Sequence, residues 1–221
     1  MSAAERLATV RARIDAACRA AGRDPASVHL IAVSKTVSLE AIAPVAAAGQ
    51  VHFGESYAQE LRSKAEARPD LIWHFVGRIQ TNKARFIAQA ARVHALESVR
   101  QAEALARRAA GPLRCLMMVN IGGEASKSGV LPSHALDRAR DLSTVAGIEL
   151  VGLTALPPPG DDPESTAPYF AELADMAQRG RAAGLPLTEL SMGMSRDYPV
   201  AIRHGATWVR VGTAIFGPRE P

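Results

Sequence analysis

Lysine is scarce in this chain. Of its 26 lysine and arginine residues, only Lys35, Lys64, Lys83 and Lys127 are lysine. Each one kept inside an apolar or glycine-marked segment is therefore worth inspecting for chemistry. Cysteine is as sparse: Cys18 falls in a helical pattern and Cys115 in an apolar run. Two thiols so placed read as small buried hydrophobes in a reducing compartment, which excludes a disulfide framework. No apolar run approaches the roughly 20 residues of a membrane span. Segment 1–22 carries apolar positions at helical spacing (Leu7, Val10, Ile14, Ala17) and lacks the compact apolar stretch of a signal peptide. The expected location is the cytoplasm. Aromatics make up 5% of residues, and the net charge of +4 is spread out, with no basic run longer than Arg107-Arg108. Nucleic-acid proteins cluster such charge on one face and interleave aromatics, so a nucleic-acid partner is not expected. The six histidines show no ligand spacing with each other or with cysteine, so no metal site is expected.

What the chain does have is alternation. Short apolar runs at 29–34, 51–54, 72–76, 93–96, 114–120, 149–156, 188–191 and 207–211 predict strands. Helical patterns lie between them at 39–48, 55–67, 84–91, 98–110, 133–146, 168–183 and 195–204, after the opening amphipathic helix. Strands apolar on both faces and alternating with helices specify a parallel sheet buried on both sides. Eight such units close into a single (β/α)8 TIM-type barrel with an extra N-terminal helix, one domain over residues 1–221. An open doubly wound sheet is the alternative, although no GxGxxG follows the first strand. The loop Pro157-Pro158-Pro159-Gly160-Asp161-Asp162 is the one irregular connection.

The working face of such a barrel lies at the C-terminal ends of its strands. The first strand stops on Lys35, placing an amine at the barrel mouth, where desolvation favours the neutral nucleophile. A lysine that snorkels to solvent, or pairs with a nearby glutamate, is equally compatible with this segment. After the seventh strand comes Ser191-Met192-Gly193-Met194-Ser195-Arg196-Asp197, and after the eighth, Gly212-Thr213-Ala214. Small residues let backbone N–H groups approach an anion, and loops seven and eight of this fold recurrently bind phosphate. Ser195, Gly212 and Thr213 are thus candidate phosphate residues, with Ser195 expected to open the next helix. Met192 joins the candidate set, while the Met192/Met194 pair also reads as packing. Arg210, inside an apolar strand, needs a partner: a buried carboxylate or the ring nitrogen of a bound pyridine. A lysine nucleophile, a phosphate cradle and such an arginine together describe pyridoxal 5′-phosphate. His52, His74 and His94 fall in strands and read as satisfied core histidines.

The segments IAVSK, FGESYAQEL, WHFVGRIQTNKAR, VNIGGEASKSGV, GLTALP, LSMGMSRDY and VRVGTAIFG run from residue 31 to 217. In that order they resemble the pyridoxal phosphate homeostasis proteins, the YggS/PROSC family, which is itself similar to the barrel half of alanine racemase, fold type III of the pyridoxal phosphate proteins. The resemblance implies a Schiff base on Lys35, a phosphate held by Ser195, Gly212 and Thr213, and Arg210 facing the pyridine nitrogen. It places Ser56 at the cofactor too, where the family's motif usually reads asparagine; serine donates a hydrogen bond over a shorter reach. Lys83 and Lys127 lie in family motifs, either bracing loops or offering a transient second site for the cofactor aldehyde.

The function implied is a carrier that buffers pyridoxal phosphate or passes it to apo-enzymes, as a non-catalytic monomer. A small amino-acid racemase is the alternative; alanine racemase adds a tyrosine from a second domain, for which residues 1–221 have no counterpart. A Schiff-base aldolase acting on a phosphorylated sugar would use the same lysine and phosphate site.

Overall fold

A computed structural model describes residues 1–124, 127–158 and 160–218. Pro159 of the irregular loop and Ala125 and Ser126 of the GGEASKSGV segment lie outside the described residues. Eight strands form the framework: β1 (His29–Val33), β2 (His52–Glu55), β3 (Ile72–Phe75), β4 (Arg92–Leu96), β5 (Leu113–Val119), β6 (Ile148–Ala155), β7 (Glu189–Ser191) and β8 (Trp208–Val211). All pair in parallel and in sequence order, and β8 returns to β1 with Arg210 opposite Ile31, so the sheet closes. The expected barrel is the observed one.

The helices cover the outside: α1 (Ala3–Ala20), α2 (Leu39–Ala47), α3 (Ala58–Ala67), α4 (Ala84–Ile87), α5 (Val99–Ala106), α6 (Ala135–Ser143), α7 (Ala167–Ala182), α8 (Tyr198–Arg203) and α9 (Thr213–Phe216). The extra helix α1 starts on a capping box in which the Glu5 amide donates to Ser2 Oγ and the Ser2 amide to Glu5 Oε2. It buries Leu7, Val10, Ile14 and Cys18. Arg6 and Arg23 tie it to the end of the barrel by donating to the carbonyls of Ile215 and Ile202.

Two boundaries differ from the sequence reading, and both matter for the site. Glu55, expected to open a helix, ends β2 instead: its carbonyl accepts from the Val76 amide and its carboxylate is fully buried. Ser195, expected to open a helix, lies three residues ahead of α8, in a turn closed by Asp197, whose side chain accepts from the Met194 amide at 2.6 Å. In each case a side-chain partner holds the backbone extended or turned where helical periodicity alone would continue.

The barrel interior is polar where branched aliphatic layers usually fill it. Arg92 of β4 forms a two-bond pair with Glu189 of β7, across the barrel. Trp208 donates to the same glutamate at 2.9 Å. His52, His74 and His94 stand in a line from β2 to β4, each ring nitrogen 3.0 Å from the next.

Candidate functional site at the barrel mouth

Lys35 does not sit on a strand end as such. Strand β1 stops at Val33, and Ser34 to Val37 form a turn closed by the Val37 amide donating to the Ser34 carbonyl at 3.0 Å. Lys35 occupies the second position of this turn and Thr36 the third, at φ 64°, a left-handed conformation rare for a β-branched residue. The strain is held from both sides. Glu60 Oε2 accepts from the Thr36 amide at 2.9 Å, and Glu55 Oε1 accepts from Ser34 Oγ at 2.6 Å.

Beneath the turn, the ammonium of Lys64 donates to the Ser34 carbonyl, to Glu55 and to Glu60, all within 2.9 Å. Burial pushes the Glu55 carboxyl up to about 7, against the opposing pull of Lys64 and Ser34. Burial also raises Glu60, but the Lys64 and Thr36 hydrogen bonds outweigh it and leave this group below its ordinary value. Sequence reasoning counted Lys64 among four scarce lysines and assigned it no role. Its i,i+4 spacing from Glu60 was the available signal.

A cavity of about 520 Å³ opens above these residues. Its walls bring together Lys35, Ser56, Ser195, Arg210, Gly212 and Thr213, six of the seven residues singled out from the sequence. The seventh, Met192, has its side chain fully buried in the core and is not part of the wall. Met194 lines the cavity instead and is 41% exposed. Gly193 takes φ 89°, which turns successive side chains to opposite sides. The far wall is Pro157, Pro158, Gly160 and Asp162 of the irregular loop, together with Lys127. Lys127 pairs with Glu124 and reaches the Pro157 carbonyl. Lys83 ends the single turn Thr81–Lys83 and is not a wall residue.

On the side of the eighth strand, the amides of Gly212 and Ala214 both point at Ser195 Oγ, at 3.3 Å each. Two N–H groups sharing one neutral oxygen at that length would bind an anionic oxygen more strongly.

Arg210 is buried, and its charge finds no carboxylate within salt-bridge distance among the described residues. Its NH1 group donates to Ser191 O and Oγ at 2.6 Å and to Thr154 Oγ1 at 2.9 Å, while NH2 donates to Ala155 O at 2.9 Å. Burial lowers its pKa to about 10, partly offset by the charge of Asp197. Of the two partners expected from the sequence, a carboxylate or a pyridine nitrogen, the carboxylate is absent among the described residues and four neutral acceptors take its place. Among the described residues Nε–H and the second NH2 proton carry no hydrogen bond, and the side chain forms part of the cavity wall.

Comparisons with known proteins show the family. The family model described as alanine racemase, N-terminal domain, matches residues 6–220. A Pseudomonas aeruginosa protein named pyridoxal phosphate homeostasis protein is 44% identical, over 98% of this chain and 96% of its own. One of the same name from Aquifex aeolicus is 39% identical over the full length of both. The structure of PipY from Synechococcus elongatus with pyridoxal phosphate bound is 36% identical and superposes with a TM-score of 0.82, over 98% of this chain and 100% of that one.

Proposed function

The chain belongs to the alanine racemase N-terminal domain family, and from that premise we propose that it is a pyridoxal phosphate homeostasis protein which holds the cofactor in the barrel-mouth cavity. The observation that carries the reading is the convergence on one 520 Å³ cavity of an amine, two amides aimed at a single oxygen and a guanidinium with donors to spare. These match in kind the three polar ends of pyridoxal phosphate: aldehyde, phosphate and ring nitrogen. When bound, the cofactor would supply an aldehyde, and Lys35 would hold it covalently, the amine nitrogen replacing the aldehyde oxygen, which leaves as water.

The protein's own groups do the rest. Ser195, Gly212 and Thr213 bind the phosphate, and the Ser56 hydroxyl is a further donor in the cavity wall. Arg210 can only donate, so it keeps the ring nitrogen unprotonated and weakens the ring as an electron sink. That bias favours storage over catalysis. The protein buffers a reactive aldehyde and passes it to apo-enzymes, acting as a cytoplasmic monomer. Two buried free thiols, Cys18 and Cys115, accord with a reducing compartment. Among the described residues no helix is long and apolar enough to cross a membrane.

The test is the visible spectrum of the purified protein beside Lys35→Ala, before and after borohydride. A yellow wild type, a colourless variant and a reduced adduct mapping to Lys35 are expected. A wild type that stays colourless with added pyridoxal phosphate would overturn the reading and turn attention to phosphosugars. Steady turnover of D- or L-alanine would replace the carrier by a racemase.

A further inference from the structure

The line of histidines in the barrel ends at the arginine. His52 Nδ1 lies 3.0 Å from His74 Nε2, His74 Nδ1 lies 3.0 Å from His94 Nε2, and His94 Nδ1 lies 2.9 Å from Ser191 Oγ. Ser191 Oγ in turn receives the Arg210 NH1 group at 2.6 Å. His74 and His94 are completely enclosed, and Trp208 packs against all three rings.

The direction of every proton in this line follows from its end. A guanidinium only donates, so Ser191 Oγ accepts from Arg210. The serine has one proton left, and among the described residues His94 Nδ1 is the acceptor within reach of it. His94 Nδ1 is then bare, and a neutral imidazole carries its proton on the other nitrogen. That nitrogen, Nε2, faces His74 Nδ1, so His74 is likewise protonated on Nε2 and donates to His52 Nδ1. Burial holds both rings below the ordinary histidine value, so they are neutral at pH 7. The opposite arrangement would leave the buried serine proton without an acceptor, a costly state.

We propose that His52, His74, His94 and Ser191 form one polarised hydrogen-bond chain that holds the Arg210 guanidinium charged and fixed, in the place a carboxylate would take. All the imidazole dipoles point their negative ends toward Arg210. Polarisation passed along the chain strengthens Ser191 Oγ as an acceptor. A carboxylate at this position would neutralise the arginine and could capture a proton; a neutral chain compensates the charge without removing it. The histidines are positioning residues: they act on the cofactor's ring nitrogen through Arg210, and this part rests on the reading of the site given above. Because NH1 is committed to Ser191 and Thr154, Nε–H and the second NH2 proton are left for the cavity.

The chain is tested first without cofactor. Long-range ¹H–¹⁵N correlation spectra of the labelled apoprotein at pH 7 assign each ring's tautomer. Nε2–H forms of His74 and His94 are expected; an Nδ1–H form, or a rapidly averaging mixture, at either ring would overturn the proposal. The second arm is His74→Phe, which cuts the chain while leaving Ser191 and Arg210 untouched. Loss of polarisation toward a charged donor predicts about tenfold weaker pyridoxal phosphate binding and a shifted absorption maximum of the bound cofactor. His74→Gln, whose amide can accept from His94 and donate to His52, is expected to recover both. A folded His74→Phe with wild-type affinity and spectrum would refute the coupling. Should the wild type bind no pyridoxal phosphate, the site reading fails while the tautomers still decide the chain. Should His74→Phe fail to fold, the wild-type tautomers again decide.

Discussion

The Lys64 ammonium lies 2.8 Å from the carbonyl oxygen of Ser34, the residue just before Lys35. The same ammonium holds Glu55, which holds the Ser34 hydroxyl, and Glu60, which holds the Thr36 amide. One buried lysine thus braces the turn that presents the other. Lys64→Met removes the cation from a nearly enclosed pair whose side chains are 9% and 0% exposed. It is expected to destabilise by about 3 kcal/mol, because Glu55 is left buried with the serine hydroxyl alone. Denaturant unfolding measures that loss. Lys64→Met with Glu55→Leu should regain most of the stability, since a matched apolar pair needs no charge. Colour development with pyridoxal phosphate should stay slow in the double variant, because the turn carrying Lys35 is still unbraced.

The barrel and most of the six candidate residues that line the cavity were legible in the sequence because they depend on local patterns, Ser56 alone coming from the family motif. Strands buried on both faces make apolar runs, and the small residues around Ser195 and Gly212 sit next to their strands. What escaped depends on partners remote in sequence. Glu55 reads as a helix start until Ser34, 21 residues earlier, captures its carboxylate. The histidines read as satisfied core residues, and they are; that they satisfy one another and end on Ser191, 97 residues from His94, is visible only in three dimensions. Met192 and Met194 are two residues apart and indistinguishable by type, and the left-handed Gly193 between them decides which one reaches the cavity.

That left-handed glycine gives a sharp test. A Cβ on Gly193 would lie 2.6 Å from the Ala201 methyl and 2.9 Å from the Tyr198 Cα, with φ at 89°. Gly193→Ala therefore meets both backbone strain and a collision with α8. It should cost at least about 2 kcal/mol, a drop in Tm of roughly 5 °C for a chain of this size. Scanning calorimetry checks it, with Gly184→Ala, which is also left-handed but meets nothing within 4 Å, as the control for strain alone.

Stability should fall with acid through a balance of opposite signs. His74 and His94 have folded pKa values depressed by burial, so below about pH 6.5 the unfolded chain takes up protons that the fold refuses. Their contribution is complete above that pH and is lost as pH falls. Glu55 acts the other way: its folded pKa of about 7 lies above the ordinary value, so its contribution is present at low pH and lost as pH rises toward 7. His52 is depressed too, by burial, so the histidines outweigh the glutamate and stability should rise with pH across this range. Denaturant midpoints between pH 5 and 7 measure the slope. Glu55→Gln should steepen it and His74→Phe should flatten it; a slope unmoved by either variant would contradict the assignment.

The phosphate end of the cavity can be separated from the amine end by comparing two ligands. Ser195 Oγ is where the Gly212 and Ala214 amides converge, and Thr213 lies between those two residues. If these groups bind phosphate, removing a hydroxyl matters only when a phosphate is present. Ser195→Ala should weaken pyridoxal phosphate binding by about tenfold, the loss of one hydrogen bond to a charged group. Thr213→Val should act similarly, and the two losses should not simply add, because both groups would contact the same anion. Binding of pyridoxal, which keeps the aldehyde and the ring nitrogen but lacks the phosphate, should be the same in wild type and both variants. Titration followed by absorbance provides both constants on one sample. If pyridoxal weakened in parallel with its phosphate ester, Ser195 would be shaping the cavity and not binding the anion. Loss of pyridoxal phosphate alone would locate the phosphate between the seventh and eighth strands and leave the covalent link to Lys35 as a separate contribution.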